Sequence, residues 1–333
     1  MSNGNTEKDL AIRAAWLSYV GGYTQAEIAE RLGVSRMKVH RLIAAAHELG
    51  AVKVFIEGEP AELIALEDAL ARAFDLSVCT VVPGVARDDG NNPFANIGTA
   101  AARFLRGRLE AGSVRTLGVG WGRSLAEMVN RLPQTPCPAL RIVPVLGSVT
   151  RKMALNPYDV VHRLTDATGG EGYLLPVPMF ADTPEHRQIL LEQRSVRDVY
   201  ELASAADLTM VGVGAVPPQG HTLLQDLGEV NEEECRQLHE AGAEAEVVGQ
   251  FLDAQGRLVE TAFNQRTLGL GLDVLGTQEV IAVTGGEEKV HATLSVLRSG
   301  LLAGLVTDET VARGVLALME EADAEEPVRQ RRT

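Results

Sequence analysis

Six short apolar runs, each ending at or beside a glycine or proline, constrain this chain more than any other feature. They are VCTVVPG (78–84), RTLGVGW (115–121), RIVPVLG (141–147), GYLLPVP (172–178), LTMVGVG (208–214) and VIAVTGG (280–286). Patterns of helical period lie between most of them, as at residues 97–109, 125–132 and 290–300. A strand that is apolar throughout is buried on both faces. Alternation of such strands with helices implies a mostly parallel sheet with helices on both sides. The fold class expected for this part is α/β, doubly wound. VGQFLDAQGRLVE (248–260) adds a hairpin expected to turn at Asp253-Ala254-Gln255-Gly256, and PQTPCP (133–138) reads as a rigid loop. No internal repeat or heptad pattern is visible.

The 333 residues leave room for more than one domain. The first 58 differ in character from the rest. They hold seven Lys/Arg and six Asp/Glu, a net +1, whereas the whole chain carries −14, so the remaining residues carry −15. That asymmetry suggests a small part facing a polyanion and a large part doing something else. The boundaries expected are a DNA-binding domain over 1–58, a linker helix over 59–75, an α/β domain over 76–319 and a charged, disordered tail over 320–333. Residues 1–8 are polar and read as disordered. From Asp9 to Val20 the apolar residues Leu10, Ile12, Ala14, Ala15, Leu17 and Val20 suit an amphipathic helix. VKVFIEG (52–58) reads as a strand.

Other classes are disfavoured. No run of eighteen apolar residues occurs, so no transmembrane helix is expected. MSNGNTEKDL lacks the layout of a secretory signal, which leaves the cytoplasm as the expected compartment. Cys79, Cys137 and Cys235 are odd in number and far apart, so neither a disulfide framework nor a zinc site is expected. No metal and no cofactor is implied.

Residues 24–43 carry a helix-turn-helix. Thr24 and Glu27 stand at capping-box spacing, Ile28 and Leu32 face inward, and Ala29 is small where two helices cross. Gly33 sits where a left-handed backbone is needed, Val34 is an apolar plug, and Ser35 caps a second helix that buries Val39, Leu42 and Ile43. Arg36, Lys38, His40 and Arg41 occupy its other face, and no acidic residue falls between Ser35 and Ala46. A helix of this kind fits the major groove, with its N-terminal side chains at base edges and its cations on phosphates. Ser35 and Arg36 are the candidates for base or early phosphate contact, flanked by Lys38, His40 and Arg41. Gln25 is placed to take a phosphate beside the first helix's N-terminus. Operator DNA is the expected partner.

The second cluster of motifs lies in the α/β part. GVGWGRS (118–124) ends a strand and opens a helical pattern. Gly118, Gly120 and Gly122 let backbone N–H groups approach an anion, Ser124 adds a hydroxyl at the helix N-terminus, and Arg123 adds a bidentate donor. A dinucleotide fingerprint needs a different glycine spacing and an acid at the end of the next strand; RIVPVLG ends instead at Gly147-Ser148. In TGGEEK (284–289), Gly285 and Gly286 close an apolar strand and Lys289 falls on the first turn of the next helix. Gly147 and Ser148 would line the same crevice. Asn264 and Arg266 could read hydroxyls or a second anionic group. Asn156 and Asp159 are weaker candidates for polyol hydroxyls, and His162 reads as a surface or packing residue.

Taken in order, TQAEIAERLGVSRMKVHRLI, GVGWGRS, GYLLPVP, VGVG, NQRTLGL and VTGGEEK resemble the SorC family of bacterial sugar-responsive transcription regulators, over roughly residues 9–318. The resemblance implies a winged-helix-like DNA-binding domain joined to an effector domain related to sugar-phosphate isomerases and deaminases. It implies a phosphorylated sugar or polyol effector, its phosphate held by the 118–124 loop with Lys289, and a homodimer or homotetramer. NPYDVVHRL (156–164) with LPVPMFA (175–181) resembles a polyol-linked subgroup such as erythritol regulators. Two rival functions are a sugar-phosphate isomerase or deaminase and a nucleotide-sensing regulator. The enzyme needs a base within reach of substrate, and Asp253 and Asp273 lie in turn or solvent contexts, so an enzyme is not expected. The sensor lacks its second-strand acid.

Overall fold

The computed structural model describes residues 3–52, 61–84, 92–149, 160–216 and 223–329. The chain divides into two compact units, Met1–Glu57 and Gly58–Thr333.

The first unit is three helices: α1 (Asn3–Tyr19), α2 (Gln25–Leu32) and α3 (Arg36–Glu48). Helix α1 begins at Asn3, inside the stretch read as disordered. Its buried face is Ala11, Ala14, Ala15 and Leu17, which pack with Ile28, Val39, Leu42, Ile43 and Ala46 of the other two helices. Ile12 and Val20, counted with that face in the sequence, are exposed instead. The reason is the helical period: Ala11, Ala14 and Ala15 lie on one side, and their short side chains let α1 and α3 approach closely. From residue 53 onward, the strand expected over 52–58 lies outside the described residues.

The second unit opens with α4 (Ala61–Phe74), which packs Leu63 and Leu70 into the core of that unit rather than standing as a free linker. The strands and helices that follow are β1 (Val78–Val82), α5 (Ala95–Glu110), β2 (Thr116–Val119), α6 (Arg123–Arg131), β3 (Arg141–Pro144), α7 (Val161–Thr168), β4 (Glu171–Gly172), α8 (Pro184–Glu192), α9 (Arg194–Ser204), β5 (Leu208–Val211), β6 (Gly214–Ala215), α10 (Leu223–Asp226), α11 (Glu232–Glu240), β7 (Ala243–Val247), β8 (Gln250–Asp253), α12 (Ala262–Arg266), α13 (Leu272–Leu275), β9 (Val280–Val283), α14 (Val290–Arg298), β10 (Gly304–Asp308) and α15 (Glu309–Arg329). Residues 320–329 of the charged tail thus continue a helix where disorder was expected.

Seven strands form one sheet in the order β1-β10-β9-β5-β2-β3-β4, parallel throughout. Both faces are covered, and β9 shows how. Val280 and Ala282 join the cluster with α4, α14 and α15, while Ile281 and Val283 join the one with α5, α6 and α7. A strand serving two cores must be apolar at every position, which is why its pattern is continuous. From β2 the chain winds outward through β3 to β4. It then returns to the other side of β2 and winds through β5, β9 and β10. The boundary between β2 and β5 is therefore the switch point of the sheet, where the carboxyl ends of strands leave a crevice.

Three local departures from the sequence reading have physical causes. GYLLPVP joins a regular ladder only at β4 and then makes one isolated parallel bridge, Pro178 to Ser148, because Pro176 and Pro178 have no N–H to give a continuous ladder. The turn at 253–256 forms, with Gly256 N donating to Asp253 O at 2.9 Å, but only a single bridge, Leu252 to Leu258, follows it. The regular hairpin joins β7 to β8 one turn earlier, through Val248 and Gly249 at φ +53° and +73°. A valine at positive φ gives no turn signal in a sequence. Arg108 on α5 clamps Glu279, just before β9, through two parallel N–H···O bonds of 2.6 Å.

Candidate effector crevice and nucleic-acid interface

In the first unit the caps form as the sequence implies. Thr24 N donates to Glu27 Oε2 at 2.8 Å and Glu27 N to Thr24 Oγ1 at 3.4 Å. Gly33 takes φ +64°, and Ser35 Oγ accepts from Lys38 N at 3.2 Å. The hydroxyl oxygen of Ser35 is therefore engaged as a cap. Arg36, Lys38, His40 and Arg41 are all exposed on α3, and Gln25, the first residue of α2, is half-buried. Met37 was missed. It is 73% exposed between Arg36 and Lys38, an apolar side chain on the same exposed stretch of α3. Its exposure was not legible because methionine at a helix start usually reads as core.

In the second unit the crevice lies at the switch point. It is walled by Gly120 to Leu125 after β2, Val211 to Gly214 after β5, Glu246, Val248, Val283 and Lys289, with Phe94 at one side. Gly122, Arg123, Ser124 and Lys289 thus converge from distant parts of the chain. Gly122 is the N-cap of α6 at φ 140° and ψ 170°, a conformation suited only to glycine, and no side chain caps this helix end. The first N–H groups of a helix have no partner within the helix and attract negative charge. Arg123 lies over the Phe94 ring, its Cζ 5.2 Å from the centroid.

Lys289 is 7% exposed. Burial, then the nearby charge of Arg123, holds its ammonium down to about 8, against smaller opposing pulls from Glu246 and Glu288. Glu246 was not anticipated. Burial raises its carboxyl above the usual range, although Oε1 accepts the Gly249 N–H at 2.6 Å. It sits on β7, the middle strand of the sheet β6-β7-β8, in the ordinary alternating pattern AEAEV, and only the fold turns it toward the crevice. Trp121 Nε1 is buried, with no hydrogen-bond partner among the described residues.

The remaining expected residues fall elsewhere. Gly120 N donates to Met210 O at 2.9 Å, so its amide is committed to the sheet although its backbone lines the crevice. Gly118 is inside β2. Gly147 and Ser148 line an adjoining cavity with His162, Tyr173 and Leu174, and it shares Gly120, Trp121 and Leu146 with the crevice. Gly286 O accepts from Lys289 N at 2.9 Å and Gly286 N donates to Asp308 Oδ2 at 2.7 Å; neither Gly285 nor Gly286 lines the crevice. Asn264 is a structural residue. Its Oδ1 accepts from Phe251 N at 2.8 Å and its Nδ2 donates to Phe251 O and Val259 O at 2.9 and 2.7 Å, leaving little for a ligand. Arg266 donates to Ala262 O and Ala181 O and lines a separate cavity with Asp182, His186 and Glu229. Asn156 and Asp159 lie outside the described residues.

Comparison with known proteins follows the same division. Residues 59–317 match the family model described as "Putative sugar-binding domain", and residues 12–48 match Sigma-70, region 4. The chain is 39% identical over 312 residues to the erythritol catabolism regulatory protein EryD of Brucella abortus (strain 2308), covering 94% of this chain and 98% of that one. It is 34% identical over 316 residues to the transcriptional regulator LsrR of Enterobacter sp. (strain 638), covering 94% of each. The full-length sorbitol operon regulator SorC from Klebsiella pneumoniae superposes with a TM-score of 0.67 at 25% identity, covering 92% of this chain and 98% of that one. Among the described residues, no helix is long and apolar enough to cross a membrane.

Proposed function

The chain belongs to the SorC-type family of sugar-binding transcriptional regulators, and from that premise we propose that it controls a polyol or sugar catabolic operon through a phosphorylated effector held in the β2–β5 crevice. The observation that supports this most is the burial of Lys289 in the same crevice as Arg123 and the uncapped N-terminus of α6. Burying a cation is costly, and an arriving anion offsets that cost. Phosphate is the anion that matches a helix N-terminus, a guanidinium and an ammonium together. Glu246, whose carboxyl burial raises above the usual range, stands in the same crevice wall, where it is placed to meet hydroxyls of the ligand. The erythritol role in the name of the relative EryD favours a short polyol phosphate.

In this reading Arg36, Met37, His40 and Arg41 meet base edges, and Lys38 and Gln25 meet phosphates. Effector binding changes the spacing of paired recognition helices in a homodimer or homotetramer, and so alters operator affinity in the cytoplasm. The test is a titration of phosphorylated polyols and sugars, their free forms and NAD(H), read by thermal shift and by affinity for operator DNA. Stabilisation by the phosphorylated compounds alone, with a change in operator affinity, is expected. Equal response to the free forms would sink the phosphate assignment. A response to NAD(H) would favour a nucleotide sensor, and binding without any change at the operator would remove the coupling.

A further inference from the structure

Helix α1 has two apolar faces, and the three-helix unit uses only one. Ile12, Trp16 and Tyr19 of α1 and Val20, one residue past its end but held in register by Val20 N donating to Trp16 O at 2.9 Å, stand at i, i+4, i+7 and i+8, the spacing of a single helical face. They are 41%, 57%, 53% and 69% exposed. Two half-exposed rings and two aliphatic side chains leave on the order of 400 Å² of contiguous apolar surface, as much as a monomer keeps without a use for it. The face is also ordered. Tyr19 Oη lies 2.8 Å from His47 Nε2, and the two rings meet edge-on at 5.5 Å, so α3 holds one end of the patch in place.

We propose that this face of α1 is the seam through which the DNA-binding unit pairs with the same unit of a second copy of this chain. The inference rests on the DNA-binding reading above. The sequence of the face is self-complementary. In an antiparallel pairing centred on Trp16, residue i meets residue 32 − i, so Trp16 meets Trp16 and Ile12 meets Val20. Arg13, exposed at the edge, then meets Tyr19, where a guanidinium over a ring is favourable. No acid is brought opposite another acid. Such reciprocity is what a two-fold interface requires.

The size of the face fits a seam that closes only with help. A standard interface buries about 800 Å² per partner, roughly twice what this face offers. Isolated heads would therefore stay apart. Heads tethered by their larger units, or set side by side on DNA, would pair through raised effective concentration. Because α1 and α3 share one core, a two-fold axis through α1 fixes the separation of the two α3 helices, and with it the half-site spacing that the pair can read.

The test uses the full chain and a duplex selected from a random library by the wild-type protein, together with the same duplex cut to one half-site. Trp16→Cys under mild oxidation should give a dimer linked 16 to 16 when the two-half-site duplex is present. Peptide mapping separates this link from any formed by Cys79, Cys137 or Cys235. The double variant Ile12→Glu, Val20→Glu should bind the two-half-site duplex at least tenfold more weakly and the half-site within twofold of wild type. Retained half-site binding shows that the variant is folded. Linkage of residue 16 to the chain's own larger unit, or no linkage on the duplex, would overturn the seam, as would equal loss on both duplexes. A wild-type chain that selects no duplex would overturn the DNA-binding reading itself.

Discussion

Arg123 and Lys289 bring two positive charges from opposite halves of the second unit to one crevice, where burial first and the arginine's charge second hold the lysine ammonium down to about 8. The direction has a consequence for pH. Below about 8 the folded protein carries the ammonium. Between about 8 and the ordinary value of 10.5 the unfolded chain holds a proton that the folded one has lost, so this group adds stability as pH rises through that window. Anion binding needs the ammonium, so effector affinity should be full below pH 8 and fall above it, with proton uptake on binding. Lys289→Met should abolish stabilisation by phosphorylated effectors without lowering the melting temperature of the free protein. Isothermal titration at several pH values and a melting curve check both; an effector response that survives in the variant would refute the role.

Gly120 and Gly122 are two positions apart and should respond unequally to alanine. Gly122→Ala puts a side chain at φ 140°, where strain costs about 1–3 kcal/mol, and should disturb the α6 N-terminus and effector binding together. At Gly120 an added Cβ would meet nothing closer than 3.6 Å, so Gly120→Ala should change stability little. Urea unfolding of the pair measures the contrast.

On α3, Lys38→Ala should weaken DNA binding uniformly across sequences and reduce the salt slope by about one. Arg36→Ala and Met37→Ala should instead relax the base preference at particular positions, each at about 1–3 kcal/mol for the preferred site. Binding to a library of single-base variants at two salt concentrations distinguishes the two behaviours.

Asn264→Ala removes three hydrogen bonds to the β8 region. The expected loss is about 1–3 kcal/mol of stability, with effector affinity unchanged once the folded fraction is allowed for. A selective loss of effector affinity would restore Asn264 to the binding site.

The helix-turn-helix of α2 and α3 was legible almost residue by residue, since caps, turn glycine and buried face are all local in sequence, whereas the buried side of α1 was misjudged at Ile12 and Val20. The layered α/β class was equally legible, because strands buried on both sides advertise themselves by continuous apolarity. What local pattern does not carry is convergence. Lys289 and the 118–124 loop could be named separately because each closes a strand. Glu246 could not, because Glu244 and Glu246 share one face of AEAEV and nothing in the pattern says which of the two meets the crevice. Asn264 and Arg266 misled for the complementary reason: polar residues in a loop look available until their hydrogen bonds to nearby backbone are seen. Strand β10 went unread because GLVTD, although buried throughout, is short and ends in polar residues.

The chain has two tryptophans, and they are divided one to each unit: Trp16 on the outer face of α1 and Trp121 in the wall between the effector crevice and its neighbour. Indole emission shifts with the polarity around the ring, so the protein carries an optical probe at each of the two surfaces proposed above to bind. With Trp16→Phe, the remaining signal should follow crevice occupancy alone; with Trp121→Phe, it should follow burial of the α1 face. Ligand entry and head pairing can then be timed against each other in the same protein, without an attached dye.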